Sequence, residues 1–227
     1  MMDNPLNYTG DPNTVLCHFN KNHDPKTGRF TSSETHSLAQ SVYKSAASRV
    51  NRIEDDVKTA VGKTNARMHG LEHRQKTLES IARKIDTDAE EKGISRKEAA
   101  NDIKDAVRFT TVSDDGDFVS NYREFKYQLA RKGYEEVRCK NYFELYRQGK
   151  AKHKQVTSVF ADDTGYRFEV QFQTPSSLKA KDKKTVLYEE VRKPDVSMKR
   201  RHIIVQEMEK LAETVPDPKD IYDIKSH

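Results

Sequence analysis

Glu169 is the residue of this chain whose type and setting best suit chemistry. It lies in the run Arg167-Phe168-Glu169-Val170-Gln171-Phe172-Gln173-Thr174, where Phe168, Val170 and Phe172 alternate with Glu169, Gln171 and Gln173. In an extended strand this puts an apolar row on one face and a carboxylate with two carboxamides on the other. A polar row on a strand whose far face is so apolar is costly unless it lines a cleft. The alternative is an ordinary edge strand with a solvated face. Thr174-Pro175 reads as a helix N-cap and first turn, which stops the strand. A second suggestive pair, His23-Asp24, sits in the turn-rich box His23-Asp24-Pro25-Lys26-Thr27-Gly28-Arg29-Phe30. A metal-dependent phosphohydrolase would need further His and Asp ligands on a sizeable helical domain. None is present, so the pair reads as a solvated turn.

The elements that must position Glu169 can be taken in order. Residues 1–33 carry Pro5, Pro12, Pro25, Gly10 and Gly28 without periodicity and read as a mobile arm. A helical extension follows over 34–64, with Leu38, Val42, Ala46, Val50, Ile53 and Val57 on one stripe of a helix from Glu34 to Lys58. A second helix is expected from Asn65 to Lys92, and Ser95-Arg96-Lys97-Glu98 is a capping box that opens a third. Ala106–Ser113 reads as a strand, broken by Asp114-Asp115-Gly116-Asp117. Phe118, Tyr122, Phe125 and Leu129 make a helical face ending at Gly133, a natural C′ residue. Then come a strand from Tyr134 to Phe143, a basic loop from Glu144 to Lys152, and a hairpin turning at Asp162-Asp163-Thr164-Gly165. A Lys-rich helix from Pro175 to Arg192 stops at Pro194; the last helix carries Ile204, Met208, Leu211 and Val215. The class is α+β, a small mixed sheet flanked by helices, with the main domain over 65–193 and a C-terminal helix and tail over 194–227.

Composition narrows the function. Of 227 residues, 34% are hydrophobic and 34% charged, with mean hydropathy −0.96, enough for one domain with a core plus extensions. A net charge of +5 and a pI near 9.0 favour anionic partners such as nucleotides, but imply no DNA binding without a motif. Cys17 and Cys139 are the only cysteines, so neither a disulfide framework nor a zinc site is expected, and a reducing compartment is. No stretch approaches a membrane span and no secretory signal is visible, so a cytoplasmic protein is expected.

Four separated segments, in order, resemble RelA/SpoT-type alarmone synthetases. His73-Arg74-Gln75-Lys76-Thr77-Leu78-Glu79-Ser80-Ile81-Ala82-Arg83-Lys84 is similar to their R-x-K-x-x-x-S-I-x-x-K helix, and Lys104–Thr110 to the strand that follows. Arg138-Cys139-Lys140-Asn141-Tyr142-Phe143 matches a K-D-Y segment with Asn141 in place of the acid, and Phe168-Glu169-Val170-Gln171 the E-x-Q strand. The box at His23–Phe30 resembles a leader on proteins encoded near phage head genes, which suggests a phage or prophage source.

The resemblance implies a nucleotidyltransferase-like synthetase fold that moves the β,γ-pyrophosphate of ATP to a ribose hydroxyl, with Mg²⁺. Such chemistry needs cations on the triphosphate, a carboxylate pair for the metal and a base near the attacking oxygen. By resemblance Arg74, Lys76, Ser80 and Lys84, on one helix, and Arg108 hold ATP. Asp105 and Glu169 are the Mg²⁺ carboxylates, Glu169 also serves as base, Gln171 orients it or the acceptor, and Lys140 and His153 take the acceptor.

Asp105 stands three residues before Arg108 rather than the family's five, and the alternative is that it merely flanks the third helix. His153 replaces the tyrosine that stacks on the acceptor base, and Gln173 stands where a basic side chain is common. GDP or GTP is the acceptor the resemblance implies, with ADP, ATP or a tRNA 3′ end as further options. Without a hydrolase domain the activity would inhibit growth, as in a toxin or phage effector. The alternatives are a catalytically degenerate nucleotide- or RNA-binding protein on the same fold, and a phage structural protein packaged in virions. The helices over 34–92 would serve either as a homo-oligomer contact or as a lid on the sheet.

Overall fold

The computed structural model describes residues 32–191, 193 and 195–227. The box at His23–Phe30, Cys17, and the junction at Arg192 and Pro194 fall outside the described residues. Five strands, β1 (Arg67–His69), β2 (Arg108–Val112), β3 (Glu135–Asn141), β4 (Val156–Ala161) and β5 (Arg167–Gln173), form one mixed sheet in the order β1-β2-β5-β4-β3. β2 and β5 are parallel; the other neighbours are antiparallel. Helices α1 (Ser33–Ala47), α2 (Val50–Val61), α3 (Leu78–Lys92), α4 (Arg96–Asn101), α5 (Phe118–Ala130), α6 (Tyr142–Arg147), α7 (Pro175–Val191) and α8 (Met198–Glu213) surround it. This is the α+β class expected from the sequence.

Much of the local chemistry is as read. Ser95 and Glu98 close the capping box reciprocally at the start of α4. Gly133, at φ 87, is a C′ residue: its N–H donates to Ala130 O at 3.0 Å and the Tyr134 N–H to Leu129 O at 3.1 Å. Thr174 and Ser177 cap the start of α7 reciprocally, each backbone N–H donating to the other's hydroxyl.

Three elements differ. The helix expected from Glu34 to Lys58 is two, because the Ser48 hydroxyl and the Arg49 guanidinium both donate to the Ser45 carbonyl and divert it from the helix ladder. The helix expected from Asn65 begins only at Leu78. Gly70 at φ 63 turns the chain after β1 into a 3-10 turn over Leu71–His73 that ends at Arg74. Gln75 and Lys76 then pair with the approach to β2, with Arg108 N–H donating to Arg74 O at 2.8 Å and Lys76 N–H to Ala106 O at 2.9 Å. Backbone pairing with the approach to β2 thus overrides a sequence that suits a helix. Lastly, Tyr142–Arg147 is a short helix capped by the Asn141 side chain, where the end of a strand and a loop were expected.

The apolar face of the sheet is Phe109, Phe168, Val170, Phe172, Val156 and Phe160, all buried. α5 lies on it: Phe125 meets the rings of Phe160 and Phe172 at 5.9 and 5.3 Å, and Tyr122 meets Phe172 at 5.0 Å. The stripe of α1 and α2 joins this same core through Ala46, Val50, Ile53 and Val57, so it is used within the molecule. Tyr134 Oη donates to Asp56 at 2.8 Å and Arg52 pairs with Asp162 at 2.7 Å, fastening α2 to the sheet. Phe125→Ala is expected to destabilise the fold by about 3–5 kcal/mol, read as a lowered urea midpoint with an unchanged slope.

Candidate active site

The parallel pairing of β2 and β5 sets Arg108 opposite Glu169 and Thr110 opposite Gln171. Cross-strand partners share a face, so Arg108, Glu169, Thr110 and Gln171 stand together on the side away from the aromatic core. β4 adds Thr157 and β3 adds Lys140 to the same row. Strand alternation from Arg108 would turn Asp105 to the other side, but the chain bends at Ala106 and brings Asp105 onto this face. Its Oδ2 lies 3.2 Å from Lys76 Nζ. It therefore belongs to the site rather than merely flanking the third helix.

The two carboxylates titrate in opposite directions. Burial alone would raise the Asp105 carboxyl, but the ammonium groups of Lys76 and Lys84 and the guanidinium of Arg108 hold it below the usual carboxylate range. One cation at about 4 Å is worth roughly 4 kcal/mol at an effective dielectric near 20, against several for desolvating a carboxylate; three cations together set the sign. Glu169 is pushed up, first by burial and then by the negative charge of Asp105, with Arg108, Gln171 and Lys76 opposing. Asp105 is thus the ionised partner and Glu169 the one that holds a proton longer.

The expected ATP residues divide. Lys76, Lys84 and Arg108 act on the carboxylates. Arg74 and Lys76 do not ride the start of the helix; both precede it, Arg74 at the end of the 3-10 turn and Lys76 beyond the bridge at Gln75, for the backbone reason given above. Arg74 Nε stands 2.5 Å from Glu54 of α2 and its Nη1 donates to Leu71 O at 3.1 Å, which ties the guanidinium to the helical extension. Ser80 sits in the first turn of α3, its N–H donating to the N-cap Thr77 and its hydroxyl accepting from Thr77 Oγ1. Lys84, one turn further, also pairs with Asp88 at 3.5 Å.

On the acceptor side, His153 lies against Tyr142, with ring centroids 4.2 Å apart and planes inclined by 37°. Both imidazole nitrogens are shut away from solvent without a hydrogen-bond partner. Burial, with Lys184, Lys181 and Lys140 nearby, pushes the imidazole down to about 3. The ring is thus neutral.

Two departures from the family pattern have structural roles. Asn141 is fully buried: its amide donates to Ile221 O at 2.8 Å and Ile224 O at 3.0 Å, while its oxygen accepts from Phe143 and Glu144 N–H. An aspartate could cap the helix but could not donate to the tail. Gln173 is buried between Gln155 and Ser177 at the end of β5.

The sequence reading missed Lys181 and Lys184 of α7, which stand three apart on one helix face. Lys181 Nζ donates to Gln171 Oε1 at 2.6 Å, Gln171 Nε2 donates to Glu169 Oε1 at 2.7 Å, and Lys184 Nζ donates to Lys152 O at 2.9 Å. Burial pushes both ammoniums down to about 8. Their spacing was the only signal available. Among the described residues no three His, Cys, Asp or Glu side chains gather as a metal site, and no helix is long and apolar enough to cross a membrane.

A mixed five-stranded sheet carrying paired carboxylates amid lysines and an arginine is thus the class of site this chain presents. No family model matches the sequence, and no curated protein matches it. Among solved structures, it is similar to the type VI effector Tas1 in complex with its immunity protein, at 16% identity over 78% of this chain and 95% of that one, TM-score 0.48. A GTP pyrophosphokinase family protein from Streptococcus pneumoniae is similar at 14% identity over 81% and 91%, TM-score 0.47. Small alarmone synthetase 1 from Bacillus subtilis, bound to its product pppGpp, is similar at 16% over 75% and 91%, TM-score 0.46. The likeness is one of architecture and carries nothing about activity.

Two outcomes follow from this geometry. Asn141→Asp loses both donations to the tail and is expected to lower stability by about 1–3 kcal/mol, measured by urea unfolding. For His153, the unfolded chain takes up a proton near 6.5 and the folded one only near 3. Between those values the unfolded state binds more protons, so acid favours unfolding. Wild type is expected to lose up to about 2 kcal/mol more than His153→Phe on going from pH 6.5 to 5, compared by urea titrations at each pH.

Proposed function

We propose that this chain is an ATP-dependent pyrophosphokinase that transfers the β,γ-pyrophosphate of ATP to a ribose hydroxyl of a nucleotide acceptor. The observation that carries the reading is the pairing of a low-titrating Asp105 with a high-titrating Glu169 among Lys76, Lys84 and Arg108. The ordered resemblance of four segments to RelA/SpoT-type synthetases supports it. Asn141 and Gln173, two of the departures from the family pattern, serve the packing of the tail and of α7.

Lys76, Lys84 and Arg108 bind the triphosphate as point charges and a fork, with Arg74 joining them if it leaves Glu54. Glu169 takes the proton of the attacking hydroxyl, one of its oxygens being held by Gln171. The new bond joins the acceptor oxygen to the β-phosphorus of ATP; the bond from that phosphorus to the α,β-bridging oxygen breaks, and AMP leaves. Lys140 and His153 line the acceptor side. Asp105 Oδ1 is buried without a hydrogen-bond partner, a donor atom that fits a divalent cation. Asp105 and Glu169 would hold Mg²⁺, with phosphate oxygens and water completing its shell. When bound, the metal neutralises charge on the transferring phosphates.

GDP or GTP is the first acceptor to try, with ADP, ATP and a tRNA 3′ end as the others. ATP labelled at its terminal phosphate is incubated with each acceptor in Mg²⁺, and label transfer is followed. Glu169→Gln, with an unchanged melting profile, is expected to lose about a hundredfold or more in rate. Failure of the wild type to label any acceptor would overturn the reading.

A further inference from the structure

The polar face of the sheet holds one contact that the transfer chemistry above does not use. Lys181 reaches from α7 onto β5 and donates to a neutral carboxamide, Gln171 Oε1, at 2.6 Å. Among the described residues it makes no ion pair. A helix that needed only to pack on the sheet would place an apolar side chain here, since even a half-buried ammonium is costly to desolvate.

The carboxamide it grips has two unlike ends. With Oε1 facing the ammonium, Nε2 must face Glu169, and it donates to Glu169 Oε1 at 2.7 Å. The reversed amide would set its NH₂ against an ammonium and its carbonyl oxygen against a carboxylate. Two charge-assisted bonds would become two repulsions. Gln171 cannot choose between these states from Glu169 alone when that carboxyl carries a proton, because a protonated carboxyl can donate or accept. The ammonium supplies the choice.

We propose that Lys181 is a positioning residue: its ammonium fixes which end of Gln171 meets Glu169, and thereby holds Glu169 Oε1 as a hydrogen-bond acceptor, the state a base for the acceptor hydroxyl requires. The kinetic consequence rests on the transferase reading; the structural one rests on geometry alone. The same ammonium lies near Arg108, of like charge, and near Glu169 and Asp182, of opposite charge.

Two measurements test this on the full chain. In the first, the side-chain amide proton pair of Gln171, assigned by its absence in Gln171→Leu, is followed by ¹⁵N–¹H correlation. It is expected to stand apart from the exposed glutamines in the wild type and in Lys181→Arg, and to collapse onto them in Lys181→Met. An unchanged pair in Lys181→Met overturns the proposal, whether or not the protein turns over.

In the second, Lys181→Met is expected to lower kcat about tenfold to a hundredfold with KM for ATP changed less than about twofold. Lys181→Arg should recover most of the loss, the exposed Lys183→Met should match the wild type, and Lys181→Met with Gln171→Leu should be no slower than Gln171→Leu alone. A raised KM with kcat intact, or losses that add in the double variant, would make Lys181 a substrate contact instead and overturn the positioning role. A wild type that transfers nothing would count against the transferase reading, leaving the amide measurement to decide this one.

Discussion

The register of two parallel strands governs this molecule. With Arg108 of β2 opposite Glu169 of β5, one face of the sheet gathers charge and the other gathers phenylalanines. A slip of one residue would send Glu169 into the aromatic core and Phe168, Val170 and Phe172 towards the lysines. The hydrophobic face and the chemical face are therefore fixed by the same hydrogen bonds. The edge-on contacts of Phe125 and Tyr122 with Phe172 are what forbid the slip.

Given that register, the site follows from electrostatics. Two carboxyl groups held close in a poorly solvated setting cannot ionise together unless cations balance them. Here the balance is uneven: Lys76 touches Asp105, while Glu169 is left to a carboxamide. That asymmetry gives the two acids different proton affinities, Asp105 the lower and Glu169 the higher. The sheet's polar side is also covered unlike its apolar side. α5 contributes rings, whereas α7 contributes lysines that grip Gln171 and the backbone at Lys152.

How much of this was legible varied with the range of the interaction. Local rules held at the box of Ser95 and Glu98, at Gly133 after α5, and at Thr174-Pro175 at the start of α7, but missed the break at Ser48 and the cap at Asn141. They failed between Asn65 and Thr77, where helix-suited residues form β1, a 3-10 turn and the bridge at Gln75. The deciding partners there, Ala106 and Arg108, lie some thirty residues on. Glu169 was legible because strand alternation exposes a misplaced charge. Asp105 was legible only by resemblance, since the bend at Ala106 that delivers it has no pattern of its own. Lys181 was hidden in a lysine-rich helix, where nothing along the chain distinguishes a half-buried ammonium from a solvated one. The tie between Arg74 and Glu54 was hidden too, because the distance between them in sequence carries no information about pairing.

The sheet's two margins are closed in different ways. At one side β1 is only three residues long. At the other, the backbone of His227 exchanges hydrogen bonds with Cys139, so β3 has a neighbour from its own chain, anchored through Asn141. Open strand margins are where foreign polypeptides add themselves to a sheet and where fibrils begin. With one margin this short and the other paired to the tail at Cys139, little open strand is left for a foreign polypeptide to extend.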